Sequence, residues 1–207
     1  MSVYQELKGL KVKFLDADTS GDRAIEGELF YNSTGFTLAS HIAAAAWSAG
    51  SNMTIPQRDG GDGAGSTPST ATWVAGGTNG DTRNIVTTQE YNGAGWASSG
   101  NLNTGRYYGG GAGSQTTAIF YGGEATPGVV GNTESYNGSA WTEVADLNTA
   151  RVNLGGAGAS NTSALAIGGD PARTITESWN GSSWTEVNDL NTGRGRTSGL
   201  GTQTAAL

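Results

Sequence analysis

The chain contains no cysteine, one histidine and few charged residues. Without cysteine, disulfides, thiolate zinc sites and cysteine nucleophiles are excluded. Only 14% of the 207 residues are charged, well below the roughly 25% of an average soluble domain. The longest uninterrupted apolar run, residues 42–47, is far too short to span a bilayer. The sequence therefore predicts neither a disulfide framework nor a membrane-spanning helix.

Basic residues are also scarce, because 11 lysines and arginines face 18 aspartates and glutamates for a net charge of −7. A surface of that sign repels phosphate backbones and anionic headgroups, so we expect no nucleic-acid partner and no membrane insertion. The N-terminal stretch interrupts its apolar residues with Lys8, Lys11 and Lys13, which is not typical of a secretory signal peptide.

Glycine is abundant, with 35 residues against four prolines. The absence of a G-X-Y period excludes collagen. Six tryptophans and seven tyrosines argue against simple disorder, because they allow the chain to bury large apolar side chains. This composition predicts short strands joined by tight turns, with uncharged polar residues on the surface.

A short aromatic phrase recurs three times along the chain. Its copies are YNGAGW at 91–96, YNGSAW at 136–141 and WNGSSW at 179–184. Ten residues after each final tryptophan, an arginine closes a Leu-Asn-Thr phrase; these arginines are Arg106, Arg151 and Arg194. A looser version runs from Trp47 to Arg58. A glycine doublet ends an apolar run in each repeat, at residues 76–77, 122–123 and 168–169.

Each repeat is predicted to form four short strands. Asn-Gly is a strong two-residue hairpin signal, so we expect a type I′ turn inside each aromatic phrase. The preceding stretch, such as residues 153–169, alternates small and apolar residues around a Ser/Asn/Thr loop and predicts two further strands. Four strands in 40–50 residues is the period of one propeller blade.

This pattern of apolar strand, Gly-Gly, aromatic, tryptophan and later arginine resembles the kelch-type repeat over about residues 47–207. The four residues between Tyr136 and Trp141 are fewer than in most kelch repeats. The variant phrases, including GTQTA at 201–205, are similar to repeats in virion proteins of tailed bacteriophages, particularly marine ones. Residues 26–34, EGELFYNST, are similar to a segment that opens many phage tail and fibre proteins.

The resemblance implies an all-β fold of kelch-like propeller repeats, with three full blades and two half-blades. Residues 1–40 form an N-terminal anchor or closing-strand segment, and residues 41–207 form the repeat domain. Residues 29–36 match the second half of a blade, with Tyr31 at the place of Tyr136 and Phe36 at that of Trp141. Pairing of this half with residues 194–207 closes the ring, within one chain or between chains.

The sequence offers little chemistry. His41 has no evident catalytic partner, and no nucleophile, phosphate-binding or zinc-protease motif occurs. The carboxylates recur with the repeat, whereas catalysis needs one site and not several copies. A structural role therefore explains them more simply than a catalytic role does. The loop from Asp16 to Asp22 matches the first half of an EF-hand, but its twelfth position is Gly27. We therefore expect a non-enzymatic protein with no cofactor and no metal site.

The repeated aromatic and arginine residues have two interpretations: they pack between blades, or they form a surface for an acidic glycan or a partner protein. These candidate positions are Tyr91, Trp96, Arg106, Tyr136, Trp141, Arg151, Trp179, Trp184 and Arg194. Packing is favoured for the tryptophans, because large aromatic side chains are usually buried. The repeats differ most at residues 78–84, 124–132 and 170–173, so a binding site is expected on these loops.

The resemblance implies a structural protein of a tailed-phage virion, assembled in the host cytoplasm, that serves in the tail, fibre or capsid decoration. Its expected partners are other virion proteins and a host-surface glycan or protein, and we expect a homo-oligomer on the particle. Many copies strengthen weak contacts through effective concentration. The alternative is a cellular kelch-type interaction module or a carbohydrate-binding or sugar-acting propeller, because fold does not determine function.

Overall fold

The protein is all-β. A computed structural model describes residues 3–7, 10–15, 29–32, 37–40, 50–63, 71–80 and 82–206, and these residues contain no helix. The chain divides into two compact units, which we call the N-terminal module, Met1–Ala49, and the repeat module, Gly50–Leu207. His41, Phe36 and the loop from Asp16 to Asp22 lie outside the described residues.

The N-terminal module contains one four-stranded sheet in the order β1-β2-β3-β4. Its strands are β1 Val3–Leu7, β2 Leu10–Leu15, β3 Leu29–Asn32 and β4 Thr37–Ser40. β3 pairs in parallel with β2 on one edge and antiparallel with β4 on the other.

The predicted match between residues 29–36 and half a blade is therefore only partly right. β3 and β4 form a hairpin of the expected length, but Asn32 and Thr37 form its closing pair, so Tyr31 lies one position away from the place of Tyr136. Both edges of β3 are occupied within this sheet, so β3 has no free edge with which to close a ring. Ring closure between the other residues of segment 1–40 and residues 194–207 stays a prediction.

The repeat module contains three four-stranded sheets of antiparallel neighbours, which we name sheets A, B and C, and a two-stranded half-sheet D. Sheet A comprises β5 Gly61–Gly63, β6 Thr72–Ala75, β7 Thr88–Tyr91 and β8 Trp96–Ser99. Sheet B comprises β9 Gly110–Ser114, β10 Thr117–Tyr121, β13 Thr133–Tyr136 and β14 Trp141–Val144. Sheet C comprises β15 Gly155–Ser160, β16 Ser163–Ile167, β17 Thr176–Trp179 and β18 Trp184–Glu186. Half-sheet D comprises β19 Gly201–Thr202 and β20 Ala205–Ala206. A separate hairpin of β11 Glu124–Ala125 and β12 Gly128–Val129 projects from sheet B.

The first strands of successive sheets lie beside one another, β5 beside β9, β9 beside β15, and β15 beside β19. Glycine makes this approach possible, because a Cβ on Gly156 would lie 2.1 Å from the Gly111 carbonyl oxygen. A Cβ on Gly199 would likewise lie 2.6 Å from the Gly156 carbonyl oxygen. The glycine-rich first strand of each repeat is therefore the element on which neighbouring sheets meet.

The aromatic phrase forms the predicted hairpin in each sheet, but the predicted type I′ turn is wrong. Four residues separate the closing pair Tyr136–Trp141, and within the turn Gly138 has a positive φ, whereas Asn137 does not. The Asn137 carboxamide oxygen instead accepts hydrogen bonds from the backbone amides of Ser139 and Ala140, both at 3.0 Å. Asparagine thus stabilises the turn through its side chain rather than through a left-handed backbone.

The glycine doublets attach each sheet to the segment that begins the next repeat. Both residues of the doublet in sheet B, Gly122 and Gly123, have positive φ, of 63° and 105°. The Gly123 amide donates to the Arg151 carbonyl oxygen at 2.9 Å, and a Cβ on Gly122 would lie 2.8 Å from that same oxygen. Only glycine combines this conformation with so close an approach.

Two apolar cores lie between the sheets. The core between sheets A and B includes Trp73, Phe120 and Trp141, and the core between sheets B and C includes Tyr121 and Trp184. The repeats therefore bury their apolar side chains against their neighbours, as repeat proteins do.

Candidate functional site

Most of the repeated candidate residues lie between the sheets. Tyr136, Trp141, Trp179, Trp184, Arg106 and Arg151 are all buried, and Tyr91 and Trp96 are half-buried. These residues do not form an exposed binding ring, and Trp141, Trp179 and Trp184 pack in the cores between the sheets. Arg194 alone among the candidate positions is exposed.

In sheets B and C, the tryptophan at the start of the final strand joins two sheets. The Trp141 indole nitrogen donates to the Thr88 hydroxyl of sheet A at 2.9 Å. The Trp184 indole nitrogen donates to the Thr133 hydroxyl of sheet B at 3.1 Å. Both indole N–H groups are therefore satisfied in the interior, as buried polar groups require. Trp96 is more exposed because, in the described part of the repeat module, no sheet precedes sheet A.

The repeated arginine forms a buried clamp with a glutamate on the third strand of its own sheet. Arg106 Nη1 lies 2.5 Å from Glu134 Oε1, and both side chains are fully buried. The same guanidinium donates to the Gly122 and Phe120 carbonyl oxygens, each at 3.1 Å. The Asn103 amide and carboxamide donate to the other Glu134 oxygen at 2.7 and 2.9 Å. Burial lowers the pKa of the Arg106 guanidinium, and the Glu134 carboxylate opposes that shift.

The next repeat builds the same clamp from Arg151, Asn148 and Glu177. Arg151 and Glu177 form a fully buried ion pair, and Arg151 donates to the Gly168 and Ala166 carbonyl oxygens at 2.9 and 3.0 Å. Asn148 donates twice to Glu177 at 2.8 Å. These arginines and glutamates thus hold the start of a repeat against its third strand, and both ion pairs are buried, whereas Asn103 and Asn148 are exposed.

The first repeat replaces both charges at once. Gln57 and Gln89 are hydrogen-bonded at the positions of the arginine and the glutamate, and Gln57 donates to the Gly76 carbonyl oxygen at 2.8 Å. The prediction that Arg58 is the repeat arginine is therefore wrong by one position. Arg58 is 68% exposed and lies beside Asp59.

A second position, which the sequence analysis missed, joins the sheets at the turn after the first strand. The Gln115 carboxamide donates to the carbonyl oxygens of Thr72 and Tyr91 in sheet A, the former at 2.9 Å. Asn161 and Gln203 make the equivalent bond to the carbonyl oxygens of Tyr136 and Trp179, at 3.1 and 2.6 Å. Their shared position after a serine or a threonine was a signal, but the residue type varies between asparagine and glutamine, so the repeat alignment hides it.

Two of the variable loops meet in a polar cleft of about 730 Å³. Its lining includes Arg58, Thr78, Arg83, Tyr107, Tyr108 and Glu124. The predicted binding loops 78–84 and 124–132 therefore both reach this cleft. Arg58, Tyr107 and Tyr108 directly follow the clamp positions, and the sequence analysis did not single out the two tyrosines.

The cleft combines exposed guanidinium groups with tyrosine rings. Arg58 is held by the Thr78 hydroxyl at 3.1 Å and the Gly80 carbonyl oxygen at 3.2 Å, which leaves the rest of its guanidinium in solvent. Arg83 donates to the Tyr107 hydroxyl at 3.4 Å and lies 5.8 Å from the centre of that ring. Burial raises the pKa of Tyr107, and Glu124 contributes in the same direction.

A row of left-handed residues continues from the cleft along the first strands. Asp59, Tyr108, Asn153 and Arg196 occupy equivalent positions with φ between 54° and 60°. Each backbone amide donates to the preceding carbonyl oxygen in this row, Tyr108 to Asp59 at 2.7 Å and the next two at 2.8 Å. The row presents four different side chains from one repeated backbone, so the sequence varies there without any change in the scaffold.

The described residues contain no group of three or more histidine, cysteine, aspartate or glutamate side chains placed to hold a metal ion. No helix among them has the length and apolar character needed to cross a membrane.

The chain matches no protein-family model, and no curated protein matches it significantly.

Proposed function

We propose that this chain is a non-enzymatic structural protein of a tailed-phage virion, a tail, fibre or capsid-decoration component that presents propeller-like repeats for host adsorption or particle assembly. The three sheets are proposed to be kelch-like blades, and half-sheet D the first half of a further blade. Their common order, with the glycine-rich strand nearest the next sheet, supports this architecture.

The observation that carries the proposal is the contrast between interior and loops. The buried clamps of Arg106 and Arg151 repeat almost atom for atom, whereas the loops that line the cleft differ in length and residue type. A rigid scaffold with variable loops is typical of proteins whose role is recognition rather than chemistry.

The cleft suits an acidic saccharide. Arg58 and Arg83 offer planar donors that match a carboxylate, and the exposed Tyr108 offers a ring face and a hydroxyl for a sugar ring. The buried Tyr107 orients Arg83 through its hydroxyl. Asp59 and Glu124 also line the cleft, so the two arginines act as local hydrogen-bond donors rather than as a net positive patch. The same side chains would contact an acidic patch on a host or virion protein.

Binding is tested with a uronic-acid oligosaccharide and a neutral glucan of equal length, titrated against the full chain by calorimetry. We expect binding of the acidic ligand alone, and a loss of at least tenfold in affinity in Arg83→Ala. Arg194→Ala is the matched control, because this arginine is exposed but does not line the cleft. Equal affinity for both ligands, or no effect of Arg83→Ala, would contradict recognition at the cleft.

The virion assignment has its own test. Purified particles of the phage that encodes the chain are analysed by mass spectrometry and labelled with an antibody against the repeat module. We expect the chain among the particle proteins and label at a defined place on the particle. Absence of the chain from purified, intact particles would overturn the assignment, whatever the cleft binds.

A further inference from the structure

The polar cleft carries charges of both signs. Its lining includes two guanidinium groups, those of Arg58 and Arg83, and two carboxylates, those of Asp59 and Glu124. A purely anionic ligand would therefore meet two repelling carboxylates as well as two donors. Complementary charge decides which ligand a site selects, so the ligand that fits this lining best carries both signs as well.

One of the two carboxylates, Glu124, is already engaged within the protein. Its side chain is half-buried, and burial raises the pKa of the Tyr107 phenol while Glu124 adds to that shift. Arg83 donates to the same Tyr107 hydroxyl at 3.4 Å and is itself exposed. Glu124 therefore belongs to the group of side chains that orients Arg83, whose remaining donors face solvent.

The other carboxylate, Asp59, has only weak partners. Its side chain is 35% exposed, and its Oδ2 atom lies 4.0 Å from Arg58 Nε and 3.4 Å from the Thr78 hydroxyl. Both distances are long for an ion pair and a hydrogen bond. Within the part of the chain that the structure describes, no donor is hydrogen-bonded to its Oδ1 atom. Asp59 can therefore accept hydrogen bonds from a ligand.

An exposed aromatic ring lies next to this carboxylate. The Tyr108 amide donates to the Asp59 carbonyl oxygen at 2.7 Å, and the two residues have nearly the same φ, 58° and 60°. Their side chains therefore leave adjacent segments of backbone from equivalent positions, and both line the cleft. A carboxylate beside the face of an aromatic ring is an arrangement that binds an ammonium group, through charge pairing and through the cation–π interaction.

We propose that the cleft recognises a saccharide with both a carboxylate and a free ammonium group, such as a uronic acid joined to an amino sugar. The ligand carboxylate binds the Arg83 guanidinium, and the ligand ammonium binds Asp59 and the ring of Tyr108. The inference rests on the proposed recognition of an acidic saccharide at this cleft and names the chemical class of that saccharide. N-acetylation removes the positive charge of the ligand, so the acetylated form binds more weakly.

The test compares two disaccharides of a hexuronic acid and glucosamine that differ only in whether the amine is free or acetylated. Each is titrated against the full chain by calorimetry at about pH 6, where an aliphatic amine is protonated and a carboxyl group is ionised. We expect the free-amine form to bind at least fivefold more tightly than the acetylated form. Between about pH 6 and pH 9 the amine loses its proton, so this preference should disappear while the affinity for the acetylated form stays constant.

Asp59→Asn tests the residue that binds the ammonium group. Asparagine adopts the left-handed conformation of this position as readily as aspartate does, so the backbone is preserved. The variant should lose the preference for the free amine and bind the acetylated form as the natural chain does. Asp170→Asn is the matched control, because the Asp170 side chain is similarly exposed, at 37%, but does not line the cleft.

The outcomes separate this inference from the proposed function. Equal affinity for the two disaccharides at pH 6, or a preference that survives Asp59→Asn or persists at pH 9, would overturn the inference alone. Recognition of an acidic saccharide would then stand. Failure of both disaccharides to bind, or affinity for them that is insensitive to Arg83→Ala, would contradict recognition at the cleft and this inference with it.

Discussion

Gln57 and Gln89 occupy, in the first repeat, the positions that a buried arginine and glutamate occupy in the next two repeats. Their amides keep the bonds to the surrounding backbone, including Gln57 to the carbonyl oxygens of Gly76 and Thr87 at 2.8 Å. A buried charge without its partner is costly, but a neutral hydrogen-bonded pair is not. The two positions therefore vary together, as a unit.

A single change at one buried clamp should destabilise the protein strongly. Glu177→Gln leaves the Arg151 charge buried without a counter-charge, and we expect a loss of about 3–5 kcal/mol in the free energy of unfolding. Urea unfolding followed by tryptophan fluorescence measures the change, because Trp179 and Trp184 lie in the same sheet.

The double variant Arg151→Gln, Glu177→Gln is the matched control. It reproduces the glutamine pair of the first repeat and should recover part of that loss, which gives a favourable coupling in the double-mutant cycle. Additive losses in the two single variants would show that the two side chains contribute independently.

The close approach of first strands predicts a second large effect. Gly156→Ala places a methyl group 2.1 Å from the Gly111 carbonyl oxygen, so sheets B and C must separate, and we expect a cost of about 1–3 kcal/mol. Gly128→Ala is the control, since a Cβ there meets nothing within 4 Å, and it should change stability by less than about 0.5 kcal/mol. Thermal unfolding of both variants compares the two positions, and equal melting temperatures would rule out tight contact of these strands.

The repeat made much of this architecture predictable. The spacing of Tyr136, Trp141 and Arg151 indicated four short strands in each repeat, and the described strands of sheets A, B and C follow that pattern. Burial of the tryptophans followed from their size and from the repeat. The turn type was wrong because Asn-Gly was taken as the whole loop, whereas the second strand begins two residues later, at Trp141, and the Asn137 side chain stabilises a four-residue turn.

The contacts between repeats were harder to predict. Pairing of Arg151 with Glu177 joins residues 26 apart in sequence, and Arg58 was mistaken for the first clamp residue because the true one, Gln57, is not an arginine. The cleft depends on Tyr107 and Tyr108, which occur in one repeat only. A repeat pattern indicates what the copies share, so a site built from their differences has no periodic signal.

Trp141 should contribute far more to stability than Trp96, although both occupy the same place in the repeat. Trp141 is buried between sheets A and B and donates to Thr88, so Trp141→Ala should cost about 3–5 kcal/mol. Trp96 is half-buried and packs on Tyr91, and its replacement by alanine should cost about 1 kcal/mol. Chemical denaturation of the two variants provides the comparison. Similar losses would indicate that an unseen surface covers Trp96 as fully as sheet A covers Trp141.

Alkaline pH should weaken the fold through Tyr136. Burial, with the Glu90 carboxylate adding to it, raises the pKa of the Tyr136 phenol above its ordinary value, although the Ser99 contact opposes this. The folded state therefore holds this proton more tightly than the unfolded chain does. Its contribution is complete below about pH 10, the ordinary tyrosine pKa, and is lost as the pH rises through the higher folded-state pKa.

Tyr136→Phe isolates this effect. At neutral pH the variant loses the hydrogen bond to Glu90, which spans 2.7 Å, and we expect a cost of about 1 kcal/mol. Above pH 10 the free energy of unfolding of the variant should fall less steeply than that of the natural chain. The reason is that the variant lacks the Tyr136 phenol, whose pKa folding raises. Part of the decline should remain, since burial also raises the pKa of Tyr107, and Tyr107→Phe in the same background should reduce it further. If the free energy of unfolding of all three proteins showed the same dependence on pH from 8 to about 11, neither phenol would contribute to the pH dependence of stability.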